Sequence, residues 1–147
     1  MGSQQPTPVL FDDRNINWKS LGPDFPHFSA AVFEVDEKKR TVEFIVKFDP
    51  NEKIIYHRHL APTRTFVVQG EHRLYEVDGR LKESRKVGTF TSTPVGAPPH
   101  LEGGGPEGCV VYYSMRADGD EELFEVLDEK DQVLGVLGFK DFAALRD

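Results

Sequence analysis

From Phe28 onward the chain alternates apolar and polar residues with a period of two, and turn residues break the alternation about every eight to twelve positions. Period two sends successive side chains to opposite faces of an extended backbone, so a chain of this kind must fold as half-buried strands. "FSAAVFEVD" and "RTVEFIVKFDP" alternate well, with "EKK" as the hairpin tip between them. "RTFVVQG" and "EHRLYEV" read as two strands meeting at Gly70, and Asp78-Gly79 supplies a tight turn because both residues tolerate positive φ. "KVGTFTSTPVG" adds a short strand before Pro94, Pro98 and Pro99, which cannot donate to a sheet ladder. "CVVYYSMRA" is the most apolar strand, "EELFEVLDEKDQVLGVLGF" reads as a final hairpin, and "KDFAALRD" as a short terminal helix. The expected class is all-β, an antiparallel sandwich or barrel.

At 147 residues the chain fits one domain, expected over residues 28–147 behind an N-terminal extension over 1–27. Trp18 in "NINWKSLGP" is placed to fix that extension against the barrel or a partner subunit. Acidic residues number 25 against 18 basic ones, and the basic residues are scattered, which argues against a nucleic-acid partner. The single cysteine, Cys109, excludes an intrachain disulfide and reads as a small buried strand residue. The opening "MGSQQPTPVLF" lacks a signal-peptide pattern and reads as a polar tail, and no apolar run approaches the ~20 residues that cross a membrane. A cytoplasmic protein without a membrane partner is the expectation.

The chemistry concentrates in three histidines. "YHRH" sets His57 and His59 one residue apart ahead of an alternating run. On a strand the two share a face with α-carbons roughly 6–7 Å apart. Their imidazoles can then meet one cation at about 2.0–2.1 Å, or simply stand on the wet face of the strand. A third, His100, closes "GTFTSTPVGAPPH", where glycines and prolines force a sharp approach. Two histidines on one strand and a third some forty residues on can form a three-nitrogen site that leaves coordination positions open.

These segments resemble the two motifs of the cupins, small double-stranded β-helices related to jelly rolls. "YHRHLAPTRTFVVQG" matches the first motif through His57, His59 and Gly70, and "GTFTSTPVGAPPH" matches the second through Gly88, Pro94, Gly96 and His100. The glutamate that usually supplies a fourth ligand is replaced by Thr63, with Arg64 beside it, and the first motif's leading glycine is absent from "FDPNEKII". Within the cupins the layout is similar to the acetylacetone-cleaving dioxygenases and to the cupin domain of zinc-binding anti-sigma factors. The resemblance implies a jelly-roll-like barrel with a short C-terminal helix, a homodimer, and a divalent metal on His57, His59 and His100. Iron(II) is favoured, and zinc, nickel or manganese would fill the same cage.

Three neutral ligands leave a divalent ion its full +2 charge, which favours anionic, chelating oxygen ligands. The resemblance therefore implies a non-haem iron(II) dioxygenase acting on a small oxygen chelator such as a 1,3-diketone. The alternative is a metal- or ligand-binding sensor without turnover. A metal-dependent isomerase or lyase is a third reading, and it needs an acid or base that the sequence does not single out. Arg64 can anchor a substrate carboxylate or pair with a neighbouring acid. Glu102 can orient a ligand or act as a base, or be a solvated loop acid. Tyr112 and Ser114 share one face of their strand while Val111, Tyr113 and Met115 share the other, and either set can line the barrel. His72 and His27 fall outside both motifs and read as ordinary residues.

Overall fold

The computed structural model describes residues 5–147, so the first four residues of the polar tail lie outside the described residues. The strands are β1 (Lys19–Ser20), β2 (Phe28–Asp36), β3 (Thr41–Phe48), β4 (Ile54–His59), β5 (Thr63–Tyr75), β6 (Leu81–Lys86), β7 (Phe90–Thr93), β8 (His100–Arg116), β9 (Phe124–Leu127) and β10 (Val133–Leu137), followed by helix α1 (Phe139–Arg146). All named strand pairs are antiparallel and belong to one curled sheet of order β1-β2-β3-β8-β4-β9-β10, with β5 joining β8 to β6 and β7. The all-β expectation, the final hairpin and the terminal helix all stand.

Two expectations about the strands need correction. "RTFVVQG" and "EHRLYEV" are one thirteen-residue strand, β5, with irregularities between Val67 and Gln69 and between Gly70 and His72. Likewise β8 does not begin near Cys109 but runs seventeen residues from His100 through the glycine-rich stretch. The physical reason is close approach. A Cβ on Gly103 would lie 1.8 Å from the Glu52 carbonyl oxygen, and one on Gly108 (φ +76) 2.5 Å from that of Phe48. Glycine lets β8 pass against the β3–β4 connection without breaking its ladder. The strand can then serve both halves of the sheet. Residues 109–116 pair with β3 on one side and β5 on the other, whereas His100 and Glu102 pair with His57 and Ile54 of β4.

The irregularities also switch the phase of alternation. Thr63, Thr65 and Val67 of β5 are buried, but beyond Gly70 it is His72 and Leu74 that turn inward. In β8, Val111, Tyr113 and Met115 are buried at one end and Glu102 at the other. The faces left open by the sequence are thereby assigned: Tyr113 lines the interior, and Tyr112 lies on the outer face, stacked on Phe33 at 6.3 Å.

The interior is filled by apolar side chains of β2, β3 and β8. Phe44 stacks on Tyr113 at 4.8 Å, and α1 plugs one end with Phe142, 4.7 Å from Phe44, and Phe139, which is fully buried under the Arg40 guanidinium. Each such ring contributes roughly 1.5–3 kcal/mol by leaving water. On the outer face Trp18 packs with Phe11 and Ile16 over Ala31, Ile45 and Val110, and its indole N–H donates to Asp13 at 2.9 Å. The N-terminal segment is thus fixed against its own barrel. Val9 and Leu10 remain exposed.

Candidate metal centre

His57 and His100 face each other across the β4–β8 ladder, and His59 follows two residues on in β4. The ring centroids are 4.7 Å apart for His57 and His100, 5.2 Å for His57 and His59, and 5.4 Å for His59 and His100. One nitrogen from each ring lies within 4.8 Å of the other two, the spacing of ligands that surround a common point. The edges of the His57 and His59 rings pack on Phe124 at 5.6 and 5.0 Å, which closes the apolar side.

Hydrogen bonding fixes which nitrogens are available. His57 Nδ1 lies 2.6 Å from the Ile55 carbonyl oxygen, which can only accept, so Nδ1 carries the proton of the neutral ring. The carbonyl is presented by a local distortion: the β4–β8 register shifts between Ile54 and His57, and Ile55 adopts φ +39, a strained conformation for a β-branched residue. His59 Nδ1 lies 2.7 Å from Thr63 Oγ1, whose own hydroxyl donates to the Ala61 carbonyl at 3.0 Å. Thr63 Oγ1 must then accept, and His59 Nδ1 is again the donor. In the neutral rings both Nε2 atoms carry lone pairs, and both are buried without hydrogen-bond partners. An unsatisfied buried nitrogen costs about 1–3 kcal/mol unless a ligand takes it. The donor set fits a divalent cation, and the bonds behind the His57 and His59 rings are those that orient metal-binding imidazoles. His57, His59 and His100 are the residues that could hold it.

Burial tunes the charges. His59 and His100 are both pushed down, first by burial and then by the neighbouring His57, His100 to about 3. They are neutral near pH 7, as ligands must be. His57 is also disfavoured as a cation by burial, but Glu102 and the Ile55 carbonyl outweigh this and raise it above 6.5. Glu102 Oε1 is 3.2 Å from His57 Nε2, an ion-pair contact without the direction of a hydrogen bond. The second oxygen, Oε2, accepts from His72 Nε2 at 2.6 Å and from the Tyr113 hydroxyl at 2.9 Å. Burial alone would raise the carboxyl of Glu102, yet the two histidines hold it well below the ordinary glutamate range.

Glu102 and His72 therefore depart from their sequence readings. Glu102 is 8% exposed rather than a solvated loop acid, and His72 is 1% exposed and its direct partner. Both were hidden by the phase switches in β5 and β8. Arg64 is exposed on the outer face, and Tyr112 donates to Glu43 on that same side. Neither lines the cavity at the histidines. His27 sits at the surface, 3.9 Å from Asp49 and 3.8 Å from Glu52, and Cys109 is buried with its thiol pushed up by burial. Missed altogether was Arg85 of β6, whose side chain is 12% exposed and lines the same cavity as His59 and His100.

Two cavities meet at this centre. One, of about 200 Å3, is polar and is lined by His59, His100, Thr65, His72, Arg85 and others. A second, of about 80 Å3, is walled by apolar side chains such as Phe28, Phe44 and Phe124. Glu102 and Tyr113 border both cavities.

No protein-family model matches the chain, and no curated protein matches it in sequence. Solved structures do. An RmlC-like cupin protein from Ralstonia eutropha JMP134 superposes with a TM-score of 0.73 at 16% identity, covering 95% of this chain and 83% of that one. A proposed acetylacetone dioxygenase from Methylibium petroleiphilum PM1 gives 0.73 at 13%, covering 99% of both chains. An acetylacetone dioxygenase from Acinetobacter johnsonii gives 0.71 at 12%, covering 99% and 96%. The chain has the cupin fold.

Proposed function

We propose that this chain is a metal-dependent cupin oxygenase, with His57, His59 and His100 holding iron(II) or a similar divalent ion. Its substrate would be a small oxygen chelator of the 1,3-diketone type. The observation that carries the reading is the pair of buried, unpartnered Nε2 atoms on His57 and His59, each with its Nδ1 proton committed to a neighbour. The likeness in fold to acetylacetone dioxygenases along nearly the whole chain supports it.

When bound, iron(II) would polarise two oxygens of a chelating substrate and mediate the transfer of the substrate's electrons to dioxygen. The protein's own residues do the rest. Three neutral imidazoles bring no charge of their own, and the single Glu102 carboxylate beside them offsets only part of a divalent ion's charge, so an enolate is favoured over a neutral ketone. The polar cavity is small enough to exclude bulky ligands, since drug-sized compounds need about 300–1,000 Å3. Phe124 closes the floor against bulk water.

Glu102 favours a second reading, a metal-dependent isomerase or lyase, because a buried ionised carboxylate beside the centre is a group that can move a proton. The experiment that separates the two is oxygen uptake. Iron-loaded protein given pentane-2,4-dione should consume dioxygen with loss of the dione's absorbance. Conversion without oxygen uptake favours the second reading, and metal binding without turnover on any chelator favours a sensor.

We also infer a homodimer. Phe90, Phe66 and Tyr112 are cross-strand neighbours on the outer face, and Phe33 stacks on Tyr112. Phe33, Phe66 and Phe90 are 51, 40 and 60% exposed. A second copy seated on this stripe would cover them, and sedimentation of the wild type against Phe66→Ser tests it.

A further inference from the structure

The polar cavity holds more unsatisfied nitrogen than three metal ligands explain. Among the described residues four buried side-chain nitrogens lack a hydrogen-bond partner: His57 Nε2, His59 Nε2, His72 Nδ1 and Arg85 Nε. Two of these, on His72 and Arg85, belong to no metal ligand, and both residues line the cavity beside His59 and His100. With Nε2 donating to Glu102, the His72 Nδ1 is an acceptor, so Arg85 Nε is the one unpaired buried donor among residues of this chamber, and native structures leave few such groups unpaired.

Arg85 is the telling member. Its Nη2 donates to Glu83 Oε2 at 2.8 Å, and Glu83, 46% exposed, borders the same cavity together with Lys82. Its Nη1 reaches only the hydroxyl of Thr65, at 3.5 Å, and Nε reaches nothing. One exposed carboxylate thus occupies one of the three nitrogens of a guanidinium that carries five N–H donors. The guanidinium is close enough to His59 that its charge helps to disfavour the imidazolium there. Thr63, Thr65 and Thr93 add hydroxyls to the same wall. Arg64, the arginine adjacent to the first motif, points to solvent and cannot serve here.

Glu83 engages the Arg85 guanidinium through Nη2 alone, and a planar guanidinium can hold a further carboxylate with its remaining N–H donors. We propose that Arg85 is the anchor for a carboxylate carried by the substrate, so that the ligand is a small dicarbonyl acid rather than a neutral dione. Its chelating oxygens face the histidines while its carboxylate lies against Arg85, within a chamber of about 200 Å3. The proposal rests on the chelator reading of the histidine site.

The test compares two probes with the same dione head, pentane-2,4-dione and 2,4-dioxopentanoate, which differ in the terminal carboxylate. Each is titrated anaerobically into iron(II)-loaded wild type, Arg85→Gln and Glu83→Gln. In the wild type the acid should bind at least tenfold more tightly than the dione, the scale of one charge-assisted pair. That preference should vanish in Arg85→Gln, with metal content and dione affinity unchanged, and should be kept or increased in Glu83→Gln, which frees the guanidinium. Equal binding of both probes to the wild type, or a preference that survives Arg85→Gln, overturns the proposal. If neither probe binds, the chelator reading has failed, and malonate titrated into the zinc-loaded proteins decides the anchor by itself. A malonate Kd at least tenfold weaker in Arg85→Gln supports it, and an unchanged Kd overturns it.

Discussion

The Thr63 hydroxyl lies 2.7 Å from His59 Nδ1 and 3.0 Å from the Ala61 carbonyl oxygen, a two-step relay in which the carbonyl fixes the hydroxyl and the hydroxyl fixes the ring. Thr63 binds no cation itself; it aims a ring that can. Thr63→Val keeps the shape and removes the acceptor. Metal affinity is expected to fall about 10- to 100-fold, the usual effect of losing a partner behind a ligand. Competition with a chromophoric chelator measures this, and unchanged affinity would show that His59 needs no such support.

Glu102 gathers His57, His72 and Tyr113 around one buried carboxylate. Glu102→Gln presents an amide to two donors and removes the charge that holds a proton on His57. Loss of about 2–4 kcal/mol in stability is expected, near the range for breaking a buried pair. Chemical denaturation of the metal-free protein is the measurement. A loss below about 0.5 kcal/mol would mean the cluster re-forms around the amide.

The same carboxylate predicts a proton count. In the metal-free protein His57 is raised above 6.5 and keeps its proton, while His59 and His100 are already neutral. Near pH 6.5 metal binding should therefore release protons chiefly from His57, one at most. Calorimetry in buffers of different ionisation enthalpy reads that number, and release of two or more would contradict the assigned charge states.

Stability of the metal-free protein should fall with acid. His59 and His100 have folded values below their unfolded ones, so the unfolded chain binds their protons first. Their contribution is complete above about pH 6.5 and is lost as pH falls toward about 3, with a limiting slope of roughly 2–3 kcal/mol per pH unit. Glu102, also depressed, adds a loss in the same direction below 4.5. His57, raised, acts oppositely: its contribution is present below 6.5 and fades as pH rises through its folded value. Melting curves between pH 7.5 and 5 should show the decline, and His100→Ala should flatten it. A decline of equal slope in that variant would contradict the assignment.

Gly70 sits in the left-handed region at φ +75, and a Cβ there would lie 2.1 Å from the Gly108 carbonyl oxygen. Gly70→Ala must move backbone on both β5 and β8, with an expected destabilisation of about 2–4 kcal/mol. A thermal midpoint within a degree or two of the wild type would show that the two strands can separate there without consequence.

The period-two pattern and the turn residues carried the all-β class, the last hairpin and the final helix, because those features depend only on local chemistry. His57, His59 and His100 were legible for a similar reason: a fixed spacing on a strand and a proline-glycine approach restrict where each ring can go. The long strands β5 and β8 were not. Alternation is counted from neighbours, and a single irregularity at Gly70 shifts the count by one, which puts His72, read as an ordinary strand residue, in the interior. The glycines of "HLEGGGPEG" looked like a loop because nothing local shows that Glu52 and Phe48 backbone oxygens press against them. Arg85 belongs to the site through the pairing of β6 with β5, and no spacing within β6 points to the histidines; Glu102 shares a face with His100 two residues before it, a signal that counts only once that stretch is known to be strand.

The most direct test is the metal content of protein purified anaerobically, beside a His57→Ala/His100→Ala variant shown by circular dichroism to keep the strand signature. About one equivalent of a divalent transition metal per chain in the wild type, and less than a tenth of that in the variant, is the predicted result. Folded wild type that takes up no metal even after reconstitution with iron(II), zinc, nickel and manganese, or a variant that binds as well as the wild type, would contradict it.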